Sequence, residues 1–143
     1  MTVKVRKLRD NVQLPQYAHG ASEDAGMDLR CLEDEVLNPG QIQVISTGLT
    51  VEIPTGFMGE VRSRSGLACE GIVVNNSPGT IDPGYRGEVK VILYNQTPFP
   101  KFLKRGERIA QLVVVAYEAV EWEEAELSST TRGAGGQGST GVS

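Results

Sequence analysis

The stretch Gln41-Ile42-Gln43-Val44-Ile45-Ser46-Thr47-Gly48-Leu49-Thr50-Val51-Glu52-Ile53-Pro54-Thr55-Gly56-Phe57-Met58-Gly59-Glu60-Val61-Arg62 sets apolar and polar residues in near alternation between glycine and proline breaks. A period of two sends one set of side chains to a core face and the other to water, the mark of a half-buried strand. The stretch reads as strands Gln41–Ser46, Leu49–Ile53 and Phe57–Arg62. Outward from it, Val3–Leu8, Glu88–Tyr94 and Arg108–Val115 have the same short, β-branched texture, and Gly or Pro recurs every few residues up to Pro100. Nothing between these breaks has the spacing of a long amphipathic helix. One short helix is expected from Ser65, with Ser65 as its N-cap. Many short strands with regular turn signals predict an all-β sandwich or barrel.

The 143 residues suit one domain, large enough for a core without staples. Hydrophobic content of 39% and charged content of 22% are those of an ordinary globular chain. No apolar run approaches the ~20 residues that span a bilayer. Met1-Thr2-Val3-Lys4-Val5-Arg6 lacks the apolar run of a signal peptide. Two cysteines, Cys31 and Cys69, are too few for a disulfide framework, so a reducing, cytoplasmic location is expected. Neither a membrane nor a nucleic acid is expected as partner, because a net charge of −4 does not carry the broad basic footprint of duplex binding. A polyanionic ligand would need local positive potential from a few arginines, backbone N–H groups or a metal ion. There is no Gly-Lys dipeptide, hence no P-loop, and no Gly-x-Ser-x-Gly elbow. His19, the only histidine, sits in a glycine-containing turn and makes neither a zinc site nor a catalytic triad.

Several loops are chemically richer than turns require. Asp24-Ala25-Gly26-Met27-Asp28-Leu29 is either a strand entry with solvated acids or an acidic group near a cation, held through water. Arg62-Ser63-Arg64-Ser65-Gly66-Leu67 puts arginines and hydroxyls before the expected helix, whose N-terminal N–H groups favour an anion. Asn75-Asn76-Ser77-Pro78-Gly79-Thr80-Ile81-Asp82-Pro83-Gly84-Tyr85-Arg86-Gly87-Glu88 crowds an amide, an acid and an aromatic around one hairpin. Its Asp82-Pro83-Gly84-Tyr85 run suits a type II turn. Asn pairs donor and acceptor for a base edge, Tyr offers a flat face for a sugar, and Asp is a candidate general base. Gly106-Glu107-Arg108-Ile109-Ala110-Gln111-Leu112 mostly reads as a turn into a core strand, with Gln111 the odd polar residue. From Arg132 onward, five of the 17 glycines fall in a tail with almost nothing to bury. That tail reads as a flexible arm or as a flap over phosphates. Its Gly133-x-Gly135-x-x-Gly138 spacing is no Rossmann fingerprint, because no helix fits behind it. Fully extended from Trp122, the tail reaches ~70 Å, at ~3.3 Å per residue, far enough to cross onto a neighbouring subunit.

In order and spacing, from about Asp24 to Gly141, these segments resemble the five motifs of the homotrimeric dUTPase family. The resemblance implies a distorted jelly roll or β-clip barrel over residues 1–121, with a glycine-rich arm over 122–143 that closes an active site of a neighbouring subunit. It implies a homotrimer with active sites between subunits, and Mg²⁺-dependent hydrolysis of dUTP to dUMP and pyrophosphate. By the same resemblance, Asp28 would hold the water shell of Mg²⁺. Arg64, Ser65 and Gly66 would hold phosphates. Asn76, Gly79, Thr80, Ile81 and Lys90 would read uracil. Asp82 would activate water and touch the 3′-hydroxyl, and Tyr85 would pack under the deoxyribose. Gln111 would bond a phosphate or a bound water. Arg132, Gln137, Gly138 and Ser139 would close over the phosphates.

Two residues depart from the family pattern. Ser63 stands where proline is usual, which is expected to loosen the loop. Gln137 stands where an aromatic is usual, which weakens stacking over the base and bears on tail closure and turnover. Two other readings compete. One is a deoxycytidine-triphosphate deaminase on the same fold, disfavoured by the Asp82-x-x-Tyr85 pairing. The other is a catalytically weakened, ligand-gated binding protein.

Overall fold

The computed structural model describes residues 1–136. Its strands are β1 (Lys4–Lys7), β2 (Met27–Arg30), β3 (Glu35–Leu37), β4 (Ile42–Glu52), β5 (Phe57–Arg62), β6 (Ile72–Val74), β7 (Gly79–Ile81), β8 (Glu88–Asn95), β9 (Lys101–Leu103) and β10 (Arg108–Ala116), with a single short helix, α1 (Ser65–Cys69). They form two four-stranded sheets, ordered β1-β4-β8-β6 and β2-β10-β5-β7, and a two-stranded sheet β3-β9. Every pairing is antiparallel. This is a nearly all-β, jelly-roll-like fold whose sheets do not close into a barrel. Among the described residues no helix is long and apolar enough to cross a membrane.

The alternation reads directly into the core. Ile45, Leu49 and Val51 of β4 and Val89, Val91 and Leu93 of β8 are buried, and Leu29, Val61, Ile109 and Leu112 come in from the second sheet. The strands expected at Gln41–Ser46 and Leu49–Ile53 are one strand, β4, with a register shift against β8 between Ser46 and Thr50. Gly48, at φ +73°, absorbs that irregularity, and a Cβ there would lie 2.6 Å from Val12 Cγ2. A glycine read as a break is therefore the bulge that lets one strand keep pairing. Asn95 is fully buried and fully satisfied. Its Nδ2 donates to the carbonyls of Leu37 (2.9 Å) and Phe99 (2.7 Å), and its Oδ1 accepts from the Thr97 N–H (2.9 Å) and hydroxyl (2.8 Å). It ties the end of β8 to β3 and to the turn before β9.

Two local expectations change. Ser65 is the first helical residue, and Arg64 holds the N-cap in extended geometry (φ −85°, ψ 133°) with no side-chain cap. Extended backbone at Arg64 sends its side chain back toward β2 rather than along the helix. Ser63 gives its loop an anchor of its own. Its hydroxyl accepts from Val74 N–H (2.8 Å), tying the loop to β6. Among the described residues, the last backbone bond to the body after β10 runs from Tyr117 N–H to the Gly56 carbonyl (3.1 Å). Beyond it Trp122 and Leu127 are both 95% exposed.

Candidate active site

The expected nucleoside residues converge. Asn76, Gly79, Thr80, Ile81, Tyr85 and Lys90 line one hollow, floored by Val61, Val89 and Ile92. Pairing of β7 with β5 sets one wall, with Thr80 opposite Glu60 and Ile81 opposite Gly59. The Asn76 amide packs directly on Gly79, where a Cβ would stand 2.9 Å from Nδ2. A side chain at 79 would push the amide out of the hollow.

Tyr85 folds back over Gly87. Its hydroxyl donates to the Glu88 carbonyl at 2.9 Å, and a Cβ at Gly87 would lie 2.6 Å from its Cζ. The ring stays 43% exposed and keeps a face free. The hairpin turn is closed by Tyr85 N–H on the Asp82 carbonyl (3.0 Å), but Gly84 does not have the positive φ of a type II turn. Asp82 directly follows β7, exposed and not among the residues that line the hollow, and its carboxylate has no hydrogen-bond partner among the described residues. Glu88, which the sequence reading passed over, accepts from Gly48 N–H (2.8 Å) and faces Lys90 Nζ at 3.9 Å. It links the bulge of β4 to the hollow.

A second hollow gathers Arg64, Gly66, Leu67 and Arg108 with Glu70, Lys101 and Glu107. It shares no lining residue with the first. At its back lies Asp28, only 8% exposed, so it is not a solvated acid. Arg64 Nε donates to Asp28 Oδ1 at 2.9 Å and Arg108 Nη1 to Oδ2 at 3.3 Å. A Cβ on Gly66 would meet nothing within 4 Å, and Ser65 beside it is exposed. Gln111 of β10 stands opposite Asp28 on one side and Arg62 on the other. Its amide packs over Gly26, 3.1 Å from where a Cβ would be. It is half-exposed and has no side-chain hydrogen bond among the described residues.

His19 is structural. Its N–H donates to Asp24 Oδ2 at 2.6 Å with Nδ1 at 3.2 Å from Oδ1, and these contacts hold the Asp24 carboxyl below its usual range. Arg132 bonds within its own turn, Nε to the Gly135 carbonyl at 2.9 Å. Gln137, Gly138 and Ser139 lie outside the described residues. No group of three or more His, Cys, Asp or Glu among the described residues has the geometry of a metal cage. A magnesium ion carried by phosphates needs only one or two carboxylates and keeps most of its waters. Asp28 fits that lesser role: a carboxylate has about four lone-pair sites, and the two arginines take one on each oxygen.

A hairpin hollow that offers an amide, a lysine and an aromatic face, and a separate hollow with two arginines, on one all-β scaffold, have the chemistry expected of a nucleotide-handling protein. A profile of the dUTPase family matches residues 11–141. The deoxyuridine 5′-triphosphate nucleotidohydrolase of Solibacter usitatus is 53% identical over 142 residues, 99% of this chain and 97% of the relative. That of Clostridium tetani is 46% identical over 98% of this chain and 97% of its own. Among solved structures, a variant of the Staphylococcus bacteriophage 80alpha dUTPase with dUpNHpp superposes with a TM-score of 0.89 at 30% identity, covering 99% of both chains. A phage phi11 dUTPase variant, described as revealing the coordination of a structural Mg(II) ion, gives 0.82 at 27% identity over 91% of this chain and 100% of its own. The chain belongs to the dUTPase family.

Proposed function

We propose that the chain hydrolyses dUTP to dUMP and pyrophosphate, with uracil in the Asn76–Lys90 hollow and the phosphates on the Arg64 platform. The convergence of Asn76, Gly79, Thr80, Ile81, Tyr85 and Lys90 on one hollow carries this reading. The Asn76 amide and the backbone of Gly79 to Ile81 read the base edge, with Lys90 beside them. A fixed hairpin rejects thymine by contact at the 5-methyl group. Against cytosine, the exchanged donor and acceptor leave buried groups unpaired. Tyr85, held from behind by the Glu88 carbonyl, packs against the deoxyribose and leaves no room for a 2′-hydroxyl.

Asp82 takes a proton from the water that attacks the α-phosphorus in line, and it also touches the 3′-hydroxyl. Its carboxylate, exposed and without a hydrogen-bond partner among the described residues, suits that role. Arg64, the N–H groups of Ser65 and Gly66, and Gln111 orient the phosphates and stabilise the charge that leaves with pyrophosphate. Asp28 would hold the water shell of a Mg²⁺ carried by the triphosphate, and that ion would supply charge withdrawal. Arg132, with Gln137, Gly138 and Ser139, closes over the β- and γ-phosphates.

The active unit is a homotrimer whose sites lie between subunits. In support, the two hollows of one chain share no lining residue, and Ile42 and Val44 leave an apolar face exposed beside the first (54% and 56%). Two free cysteines fit the reducing cytoplasm. Pyrophosphate release measured with dUTP, dCTP, dTTP and UTP tests the reading, and only dUTP is expected to turn over. Ammonia from dCTP would make the chain a deaminase. Tight dUTP binding without pyrophosphate release would make it a binding protein.

A further inference from the structure

Segments distant in sequence meet at the Asp28 carboxylate. Arg64 reaches it from the loop between β5 and α1, and Arg108 from the start of β10. Arg64 Nη1 also makes a long contact to the Arg108 carbonyl, at 3.5 Å. Arg108 thus holds Arg64 from two directions, through the shared carboxylate and through its own backbone. Strand periodicity alone would not bring Arg108 here. Gln111 lies opposite Asp28, and residues an odd number of positions apart face opposite sides of a strand. The register of β10 against β2 shifts between Arg108 and Ala110, and this bulge turns Arg108 to the Asp28 side.

We propose that Arg108 is a positioning residue for triphosphate binding. It occupies one oxygen of Asp28, fixes Arg64 at Nε and Nη1, and leaves the Nη2 edge of Arg64 for phosphate. The proposal rests on Arg64 as a phosphate ligand, as read above. An isolated Arg64–Asp28 pair is neutral. Adding Arg108 gives the cluster a net positive charge in a chain of net charge −4. A guanidinium is a rigid planar fork, so two anchored nitrogens set the direction of the third. Fixing it before substrate arrives removes that ordering cost from the binding step.

The test uses the full chain and ligands that need no turnover. Arg108→Met keeps an apolar stem and removes the charge. Titration with dUpNHpp should show about ten-fold weaker binding, the worth of one charge-assisted hydrogen bond, with deoxyuridine binding unchanged within about two-fold. Arg108→Lys should recover part of the loss, because it restores the charge on Asp28 without the fork. Equal weakening of both ligands would reduce Arg108 to a structural role, and unchanged dUpNHpp binding would overturn the proposal. Should Arg108→Met fail to fold, Arg108→Lys carries the test, with selective weakening of dUpNHpp expected and equal or absent weakening refuting it. A wild-type chain that releases no pyrophosphate from dUTP would sink the function proposed above. An active wild type matched by Arg108→Met would sink only this inference.

Discussion

Gly87→Ala separates the Tyr85 ring, proposed above to carry the sugar, from the fold. A Cβ at this position would lie 2.6 Å from Tyr85 Cζ and 2.9 Å from Cε2. Carbon atoms settle at about 3.5–4.0 Å, so the ring must retreat by roughly 1 Å. Gly87 does not have a positive φ, so alanine is not strained in the backbone and all of the effect falls on the ring. The ring is 43% exposed and free to swing outward, at the cost of its hydrogen bond to the Glu88 carbonyl. That loss is worth about 1 kcal/mol at most, a shift of a few degrees in Tm. Catalysis should suffer more, because a 1 Å misplacement of a positioning group costs up to about 10²-fold. Pyrophosphate release should show kcat/KM for dUTP down about ten- to a hundred-fold. The preference for dUTP over UTP should narrow as the ring leaves C2′. Gly84→Ala is the control, since a Cβ there meets nothing within 4 Å and its φ is not positive. Wild-type kinetics and selectivity in Gly87→Ala would refute the assignment of Tyr85. An equal loss in Gly84→Ala would shift the cause from the ring to the flexibility of the turn.

Asp82→Asn should lower kcat by about 10²–10⁴-fold while dUpNHpp affinity holds; a near-normal rate would remove Asp82 as general base. Deleting residues 132–143 should cut the rate without moving Tm, because β10 and the Tyr117 backbone bond stay in place; an unaffected rate would reject the flap. Burial holds the Cys31 thiol above its ordinary pKa of 9.0, so the folded chain keeps a proton that the unfolded chain has lost. Its contribution to stability is therefore full below that value and declines as pH rises past it. Urea midpoints should fall less steeply over about pH 8–10 in Cys31→Ala than in wild type, and equal slopes would refute it. Chelation with EDTA should suppress dUTP turnover and Mg²⁺ should restore it, with retained activity counting against a cation on the phosphates.

The strands that alternate over at least six residues were legible because each has one core face. β5 runs Phe57–Arg62 as read, and β8 and β10 each extend one residue past the expectation. β3, β6, β7 and β9 are three residues each, too short for a period to declare itself; β6 and β7 form on the edges of the longer strands β8 and β5, and β3 and β9 pair only with each other. The meeting of Asn76, Tyr85 and Lys90 in one hollow could be anticipated because most of its lining comes from one stretch of chain, with only Val44 and Val61 from elsewhere. Arg108 was not, because its orientation depends on a bulge that no residue spacing reveals. The roles of Gly87 and Glu88 depend on where the Tyr85 ring folds, which is a tertiary fact.

On the function proposed above, the Asp28 cluster lets an acidic chain attract a triphosphate. Two guanidiniums side by side would repel each other by several kcal/mol at a partly buried site, about 4 kcal/mol at 4 Å in an effective dielectric of 20. An anion placed between them removes that repulsion and orients both forks, so the acid makes the basic surface possible. The consequence is a limited charge. Asp28 cancels one of the two arginines on its platform, Glu70 pairs with Lys101, Glu107 adds a further negative charge to the same hollow, and Lys90 faces Glu88 across 3.9 Å. What remains on one chain falls short of the charge of a nucleoside triphosphate. The shortfall calls for positive charge that arrives with the ligand or from outside the platform: a divalent cation on the phosphates, and Arg132 carried in on the arm. On this view the modest local charge is a selectivity device, because free nucleoside lacks the phosphates and bare phosphate lacks the hairpin contacts.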